Sequence, residues 1–572
     1  MRVLALPVVL LGCTLPTDHD PDTGDSTDAS DTLGDTGGGD TDDTDDTDDT
    51  GQIGTTGEPA TVEVRATPTP CAAPDDRQTL GWWMRERRTT TTADPSSDLG
   101  LTGGALALDD LDGDGHLDLV VLDKRSTIVH LGNGSGALGP KPAWTFGHDL
   151  EGATSGTLVD LDDDGDLDLF VTRWKRPPVA LRNDGAAPLV DVSAELGLDV
   201  APELRWMGAA FGDVDRDGDL DLFLVAYGVR PKDAFADASA FEPGDASVLL
   251  LRTPSGFEPA PTPMPPAVTE GHTFGGAFVD VDGDVWPELV VINDFGWARP
   301  SQILWNRAGT LGLDPLDQAG FAIPFAGMGL GIGDLNGDGT PDWVQSSWNE
   351  TSALVSQQGV YFDEAQARGL VPFLAEDAIT GQSFGWGAQL VDVDLDGDLD
   401  APIAYGYWAD WGGFEVQPDG LFLQGPDGTF TDVAAAQGLA APEAGRGLVT
   451  GDLDGDGYPD LVVRHLREGL DIHLSRCGTG RALEVELRQP GRPNPFAAGA
   501  RVDVVTSLGS QRRWVVTGTH GLFSAGPHRV HVGLGDATEV RELRVRWPDG
   551  GESILREPVA PGRIRIERGP PG

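Results

Sequence analysis

The chain has 572 residues and a formal net charge of −54, with 93 acidic residues against 39 basic ones. One core cannot fill that length, so at least two domains are expected. The charge excludes nucleic acid as a default partner, because binding phosphate needs a basic footprint.

The first residues read as an export signal: Arg2, an apolar run from Val3 to Leu11, then Gly12 and Cys13. The run is too short to span a bilayer. Leu10-Leu11-Gly12-Cys13 resembles a bacterial lipobox, which implies loss of residues 1–12 and lipidation of Cys13, with an ordinary secretory peptide as the alternative. On the lipobox reading the protein is exported and anchored at the outer membrane or cell surface of a bacterium, meeting the membrane only through its lipid. Nothing later in the sequence reads as transmembrane.

From Thr17 to about Gly57 the chain is almost wholly Asp, Thr, Gly and Ser. Such a stretch repels itself and has no apolar surface to offset ordering, so residues 13–70 are expected to be an extended, disordered tether. With Cys13 lipidated, Cys71 and Cys477 remain, one before and one after the long central region. In an oxidising compartment a Cys71–Cys477 disulfide is expected, the alternative being two unpaired thiols.

Between them a nine-residue unit, D-x-D-x-D-G-x-x-D, recurs seven times, at Asp110, Asp160, Asp213, Asp280, Asp334, Asp392 and Asp452. Successive starts are 50, 53, 67, 54, 58 and 60 residues apart, a spacing that suits four short strands with their turns. Each unit follows a Gly-rich apolar stretch and precedes a β-type run such as Leu119-Val120-Val121-Leu122, which makes it a loop between two strands. The predicted fold is all-β: a seven-bladed β-propeller over residues 71–477, followed by a small antiparallel β-domain over 478–568. The last region carries 14 Arg against 10 acids, and its alternating runs such as Leu543-Arg544-Val545-Arg546-Trp547 read as strands.

Positions 1, 3, 5 and 9 of each unit must converge if the residue at position 6 turns the chain sharply. Two carboxylates about 4 Å apart repel by roughly 4 kcal/mol at an effective dielectric near 20, so four together require a cation. All-oxygen ligands in a flexible Gly-rich loop favour calcium over magnesium. The predicted ligands are Asp110, Asp112, Asp114 and Asp118; Asp160, Asp162, Asp164 and Asp168; Asp213, Asp215, Asp217 and Asp221; Asp280, Asp282, Asp284 and Glu288; Asp334, Asn336, Asp338 and Asp342; Asp392, Asp394, Asp396 and Asp400; Asp452, Asp454, Asp456 and Asp460. Of these 28 positions 27 are acidic, which accounts for half of the net charge. An EF-hand is excluded, because position 12 holds no acid in any unit and the flanks are strand-like.

The units resemble the FG-GAP (or VCBS) repeats of integrin α-chain propellers and their bacterial relatives. Gly499-Ala500-Arg501-Val502, Gly521-Leu522-Phe523-Ser524, Val530-His531-Val532-Gly533-Leu534-Gly535 and Val545-Arg546-Trp547-Pro548-Asp549-Gly550 resemble the ASPIC/UnbV domain. That pairing is found in relatives of cartilage acidic protein. The resemblance implies up to seven calcium ions and extracellular placement, and it implies no agreed activity.

Two units depart from the pattern. The fourth has Val285 where the turn wants Gly, and Glu288 in place of Asp, so its site is expected to be the weakest; the fifth has Asn336, which keeps an oxygen but loses a charge. No G-x-S-x-G elbow and no H-E-x-x-H motif occurs, so a binding module is expected rather than an enzyme, with a hydrolase or an inert scaffold as alternatives. Five or six residues past each loop, on the opposite rim, stand Trp174, Trp297, Trp348, Trp408 and Trp411, with Trp386 placed there by the same count backwards. These six are the predicted ligand face for a protein or glycan, and they are expected to be partly exposed.

Overall fold

A computed structural model describes residues 56–66, 83–88 and 104–569, apart from 123–126, 141–149, 186–187, 230–240, 313–320, 323, 373–382, 407–416, 441–442, 467–468, 476–477 and 519–522. Cys13, Cys71, Cys477, Trp408 and Trp411 lie outside the described residues, as do the expected signal peptide and most of the expected tether.

The repeat region folds into seven small antiparallel sheets, one for each acidic unit. In the second, Ala153–Val159 pairs with Asp168–Arg173, which pairs with Val179–Arg182 and then Val190–Asp191. The acidic loop joins the first two strands of each sheet, and its position 9 pairs with the residue just before position 1: Asp109 with Asp118, Val159 with Asp168, Gly451 with Asp460. First and second strands are buried along nearly their whole length, because neighbouring sheets cover both of their faces. The sequence marks this by runs such as Leu-Val-Val in place of clean alternation. First strands of successive sheets lie side by side, and the seventh, Gly445–Gly451, lies beside the first, Ala105–Asp109. The seventh sheet draws its fourth strand, Trp83–Arg88, from the far end of the chain, paired antiparallel with Gly469–Ser475. Pro402 shows how the ladder yields to sequence: in the sixth sheet pairing breaks between Ala388 and Val391, and the Pro402 carbonyl takes the Gln389 N–H at 3.2 Å.

The C-terminal region forms two sheets around a core of Leu483, Val485, Val502, Val532, Val545 and Ile564. It is not purely antiparallel: Arg481–Arg488 and Gly562–Arg568 run parallel. The tether expected to reach residue 70 ends earlier, because Thr56–Gly57 pairs with Glu552–Leu555 and Ala60–Ala66 pairs with Gly562–Arg568. Here Ala60, Val62 and Val64 alternate with polar residues, and Ala60 and Val62 pack on the C-terminal core, a pattern hidden at the end of a long polar run. Arg568 fixes this seam. Its side chain is only 2% exposed, pairs with Glu58, donates to Asp549 and lies over the Trp547 ring.

The C-terminal region also reaches into the repeats. Thr517–Gly518 pairs with Phe211 and Ala210 on the free edge of the third sheet's first strand. Ala525 exchanges backbone hydrogen bonds with Leu106 and Leu108 of the first sheet, and Phe523 is fully buried against Phe274 of the fourth. The segment thus lies among the first strands of different sheets. Among the described residues no helix is long and apolar enough to cross a membrane.

Replacing Arg568 by Ala removes three charge-assisted contacts while leaving Glu58 and Asp549 able to reach water. Equilibrium denaturation should show a loss of about 1–3 kcal/mol.

Candidate metal loops

All seven acidic units adopt one geometry, and each carboxylate in it has a distinct task. Position 9 closes the loop. One oxygen of Asp118 accepts the N–H of Leu111 at 2.8 Å, and the other accepts the N–H of Gly132 at 2.7 Å, from the residue that follows the third strand. Asp168, Asp221, Glu288, Asp342, Asp400 and Asp460 repeat this double acceptance, in each case from position 2 of the loop and from the end of the third strand. Position 5 makes a local turn, accepting the N–H two residues on, as Asp114 does from His116 and Asp396 from Asp398. Position 1 accepts the N–H of the turn residue at position 6, as Asp110 does from Gly115 at 2.8 Å and Asp452 from Gly457 at 2.9 Å.

The chain turns through left-handed backbone twice in every loop, at position 6 as expected and also at position 4. Position 4 is Gly113, Asp163, Arg216, Gly283, Gly337, Leu395 and Gly455, with φ between 60° and 80°. Val285 at position 6 of the fourth loop is forced to φ 80°, a conformation that costs a β-branched residue energy. Its methyl groups lie close to Gly550 of the C-terminal region.

This folding brings the carboxylates of positions 1, 3 and 9 together. One oxygen from each of Asp110, Asp112 and Asp118 lies within 4.8 Å of the others, and so for Asp160, Asp162 and Asp168, for Asp213, Asp215 and Asp221, for Asp280, Asp282 and Glu288, and for Asp392, Asp394 and Asp400. Oδ1 of Asp110, Asp213, Asp280 and Asp394 is buried with no hydrogen-bond donor. A buried carboxylate oxygen without a donor among like charges fits a hard cation that takes oxygen ligands. Burial, reinforced by the neighbouring carboxylates, pushes these acids upward: Asp110 to about 6, Asp213 to about 7, Asp392 to about 8, Asp221 to about 8 and Glu288 to about 9.

The C-terminal region touches every loop. Arg529 donates to the Gly115 carbonyl at 3.1 Å, joined there by Arg563. Asn494 N–H reaches Asp163 at 2.8 Å, and Arg216 reaches the Asp549 carbonyl at 2.6 Å. Arg546 donates to Gly283 at 2.7 Å, Arg512 to Gly339, Gly535 N–H to Leu395 at 2.9 Å, and His531 to Gly457 at 2.9 Å. Its arginines thus stand over the acidic face, with Arg513 buried in the field of Asp392 and Asp334.

One further cluster joins the two regions. His528 Nδ1 contacts Asp109 at 2.7 Å, and its Nε2 contacts the Thr517 hydroxyl at 2.7 Å. Burial would raise the Asp109 carboxyl, but the hydrogen bond and charge of His528, with Arg529 beyond, hold it below its usual value. Hydroxyl, imidazole and carboxylate stand in the order of a nucleophilic relay. Thr517, His528 and Asp109 are 3%, 4% and 3% exposed, so the hydroxyl is closed to a substrate and the cluster pins the inserted segment to the first sheet.

The aromatic expectation needs correction. Trp174 is 8% exposed and Trp386 0%, so neither is on a free surface; Trp386 donates to the Gly406 carbonyl and is covered by Arg446. A residue at the end of a strand still has a neighbouring sheet on either side, so rim position does not confer exposure. Trp297 and Trp348 are partly exposed and pack against the same core, Trp348 stacked on Phe384.

Family comparison gives these loops a lineage. The FG-GAP-like repeat model matches residues 110–171, 160–224, 280–344 and 408–463, and the ASPIC and UnbV model matches 490–570. The chain is an FG-GAP repeat protein with an ASPIC/UnbV domain. Human cartilage acidic protein 1 is 26% identical over 278 residues, 46% of this chain and 39% of that protein, and the mouse protein is 27% identical over 261 residues, 44% and 38%. The match thus spans about two fifths of the length of these relatives. A solved Agrocybe aegerita lectin, described as recognising non-reducing terminal N-acetylglucosamine, aligns over 65% of this chain and 94% of its own at 16% identity and TM-score 0.40, too distant to carry an argument.

Two outcomes follow from the geometry. Carboxyls with raised folded values keep protons that the unfolded chain releases above about pH 4. In chelator, the melting temperature should therefore fall as pH rises from about 4 to about 8, and saturating calcium should flatten that fall. Val285→Gly should relieve the left-handed valine and raise stability by about 1 kcal/mol in equilibrium denaturation.

Proposed function

We propose that this protein is an exported, calcium-loaded binding module, built as a closed seven-bladed β-propeller capped by its ASPIC/UnbV domain. The observation that carries the reading is the buried carboxylate oxygen without a donor, recurring among convergent acids in successive loops. Seven sheets whose first strands follow one another, with the seventh beside the first and completed by Trp83–Arg88, support closure. Calcium suits the site better than magnesium because the clamped, Gly-rich loops offer many oxygens without strict octahedral geometry. When bound, the cation supplies charge neutralisation; the chain's own residues set the loop shape and exclude water.

The cation's role is structural, and no catalytic step is assigned. The relay at Thr517 is closed to substrate, and the acid pairs belong to the loops. A protein or glycan ligand would be met away from the acidic loops, because the C-terminal domain covers them; Trp297 and Trp348 are the partly exposed aromatics there. A lipid anchor at Cys13 and extracytoplasmic placement complete the proposal.

A site filled at about 100 times its dissociation constant adds about 2.7 kcal/mol, so several filled sites should dominate stability. Melting temperature in excess calcium should exceed that in chelator by well over a few degrees; a smaller difference would sink the calcium reading. Replacing Asp392, Asp394 and Asp396 together by Asn should remove more of that calcium-dependent gain than replacing Asp280, Asp282 and Asp284, because the fourth loop already carries the Val285 strain.

A further inference from the structure

We propose that the acidic face is an interaction surface whose partner is this chain's own C-terminal domain, and that cation loading and docking of that domain strengthen each other. The inference rests on the calcium reading above and extends it to residues that touch no cation.

The first observation is which atoms the docking domain uses. Its arginines and His531 donate to backbone carbonyls at the two left-handed positions of the loops: position 6 at Gly115, Gly339 and Gly457, and position 4 at Gly283. At Leu395, also position 4, the docking donor is the Gly535 N–H. These carbonyls point outward only while the loop holds both left-handed turns. That conformation also gathers the carboxylates of positions 1, 3 and 9 within 4.8 Å. A cation that relieves the repulsion among those acids therefore holds in place the acceptors on which the domain sits.

The second observation decides between cooperation and competition. A guanidinium can replace a cation only if it enters the carboxylate cluster. Arg529 stands 3.6 Å from Asp110 and Arg546 3.9 Å from Asp280, whereas the same side chains meet the loop carbonyls at 3.1 and 2.7 Å. The arginines sit on the outside of the loop and leave the donor-free oxygens of Asp110 and Asp280 unfilled. Three loops place a side chain, in place of Gly, at the left-handed position 4, and each meets the domain there: Asp163 accepts from Asn494, Arg216 donates to Asp549, and Leu395 is buried beside Tyr458 and Ala482. The strained positions are thus spent on docking.

Linkage is reciprocal, so whatever docking gains from the cation, cation affinity gains from docking. The test uses the full chain with Arg512, Arg546 and Arg563 replaced by Ala, measuring calcium affinity by competition with a chelating dye. The expected result is affinity 5- to 150-fold weaker than wild type, the usual range of such coupling. A simple field effect predicts the opposite, because removing three positive charges beside an acidic site should tighten cation binding. The control is Arg544→Ala with Arg556→Ala, which removes charge from the same domain at exposed pairs with Glu542 and should leave affinity unchanged. Unchanged or tighter binding in the triple variant overturns the proposal. Hydrogen exchange on the wild-type chain keeps the proposal falsifiable if that variant does not fold. On calcium removal the amides of Asn494, Ala525, His528 and Gly535 should lose protection before those of Val485 and Val545 in the domain's own core, and equal protection with and without calcium overturns it. If the wild-type chain binds no calcium, the calcium reading fails; if it binds calcium without these responses, only the linkage fails.

Discussion

The structure depends on a carboxylate that holds two backbone N–H groups at once. At position 9 of each unit the acid joins the start of its own loop to the end of the third strand, so one side chain fixes a hairpin and its neighbour together. A neutral amide of the same shape could accept only through its single carbonyl oxygen. Two acceptor oxygens are required, and an ionised acid offers both while adding negative charge to a place already crowded with it. The acids at positions 1 and 3 are drawn in by the same fold. The repulsion is a consequence of how the loop is closed, and the need for a cation follows from it.

That chain of cause explains the charge distribution. The repeats hold most of the acid, and the C-terminal domain, with 14 Arg and 10 acids, stands over them with arginines on loop carbonyls. Short-range hydrogen bonds to carbonyls give orientation, and the longer-range field gives attraction without placing a guanidinium among the ligands. The buried Asp109–His528–Thr517 contact then fixes the inserted segment against the first sheet.

Much of this was legible in the sequence, for a definite reason: the loop is local. Nine consecutive residues determine its shape, so spacing alone located the loops, their flanking strands and the turn residue at position 6. The second left-handed residue escaped notice because position 4 tolerates Asp163, Arg216 and Leu395, which carry no glycine signal. The clamp at position 9 escaped because its partner, such as Gly132 for Asp118, lies in another strand whose end no motif marks. Trp174 and Trp386 were misplaced because exposure depends on neighbouring sheets, which strand counting does not see. Strand Ala60–Ala66 was hidden because its partner, Gly562–Arg568, lies at the other end of the chain.

That last pairing bears on how the protein comes to be folded at all. Glu58 and Ser553, bonded in the seam between the first and last strands, are 495 residues apart, and Trp83–Arg88 likewise waits for Gly469–Ser475. A chain delivered from its N-terminus exposes these early strands long before their partners emerge. Contacts so distant in sequence form slowly and leave strand edges open to wrong pairing in the interval. Ala60–Ala66 carries Glu63 and Arg65, and charged side chains of this kind discourage association with another chain. Completion is thus reserved for the finished molecule: until residue 568 has arrived, neither the first-to-last seam nor the cover over the acidic loops can form.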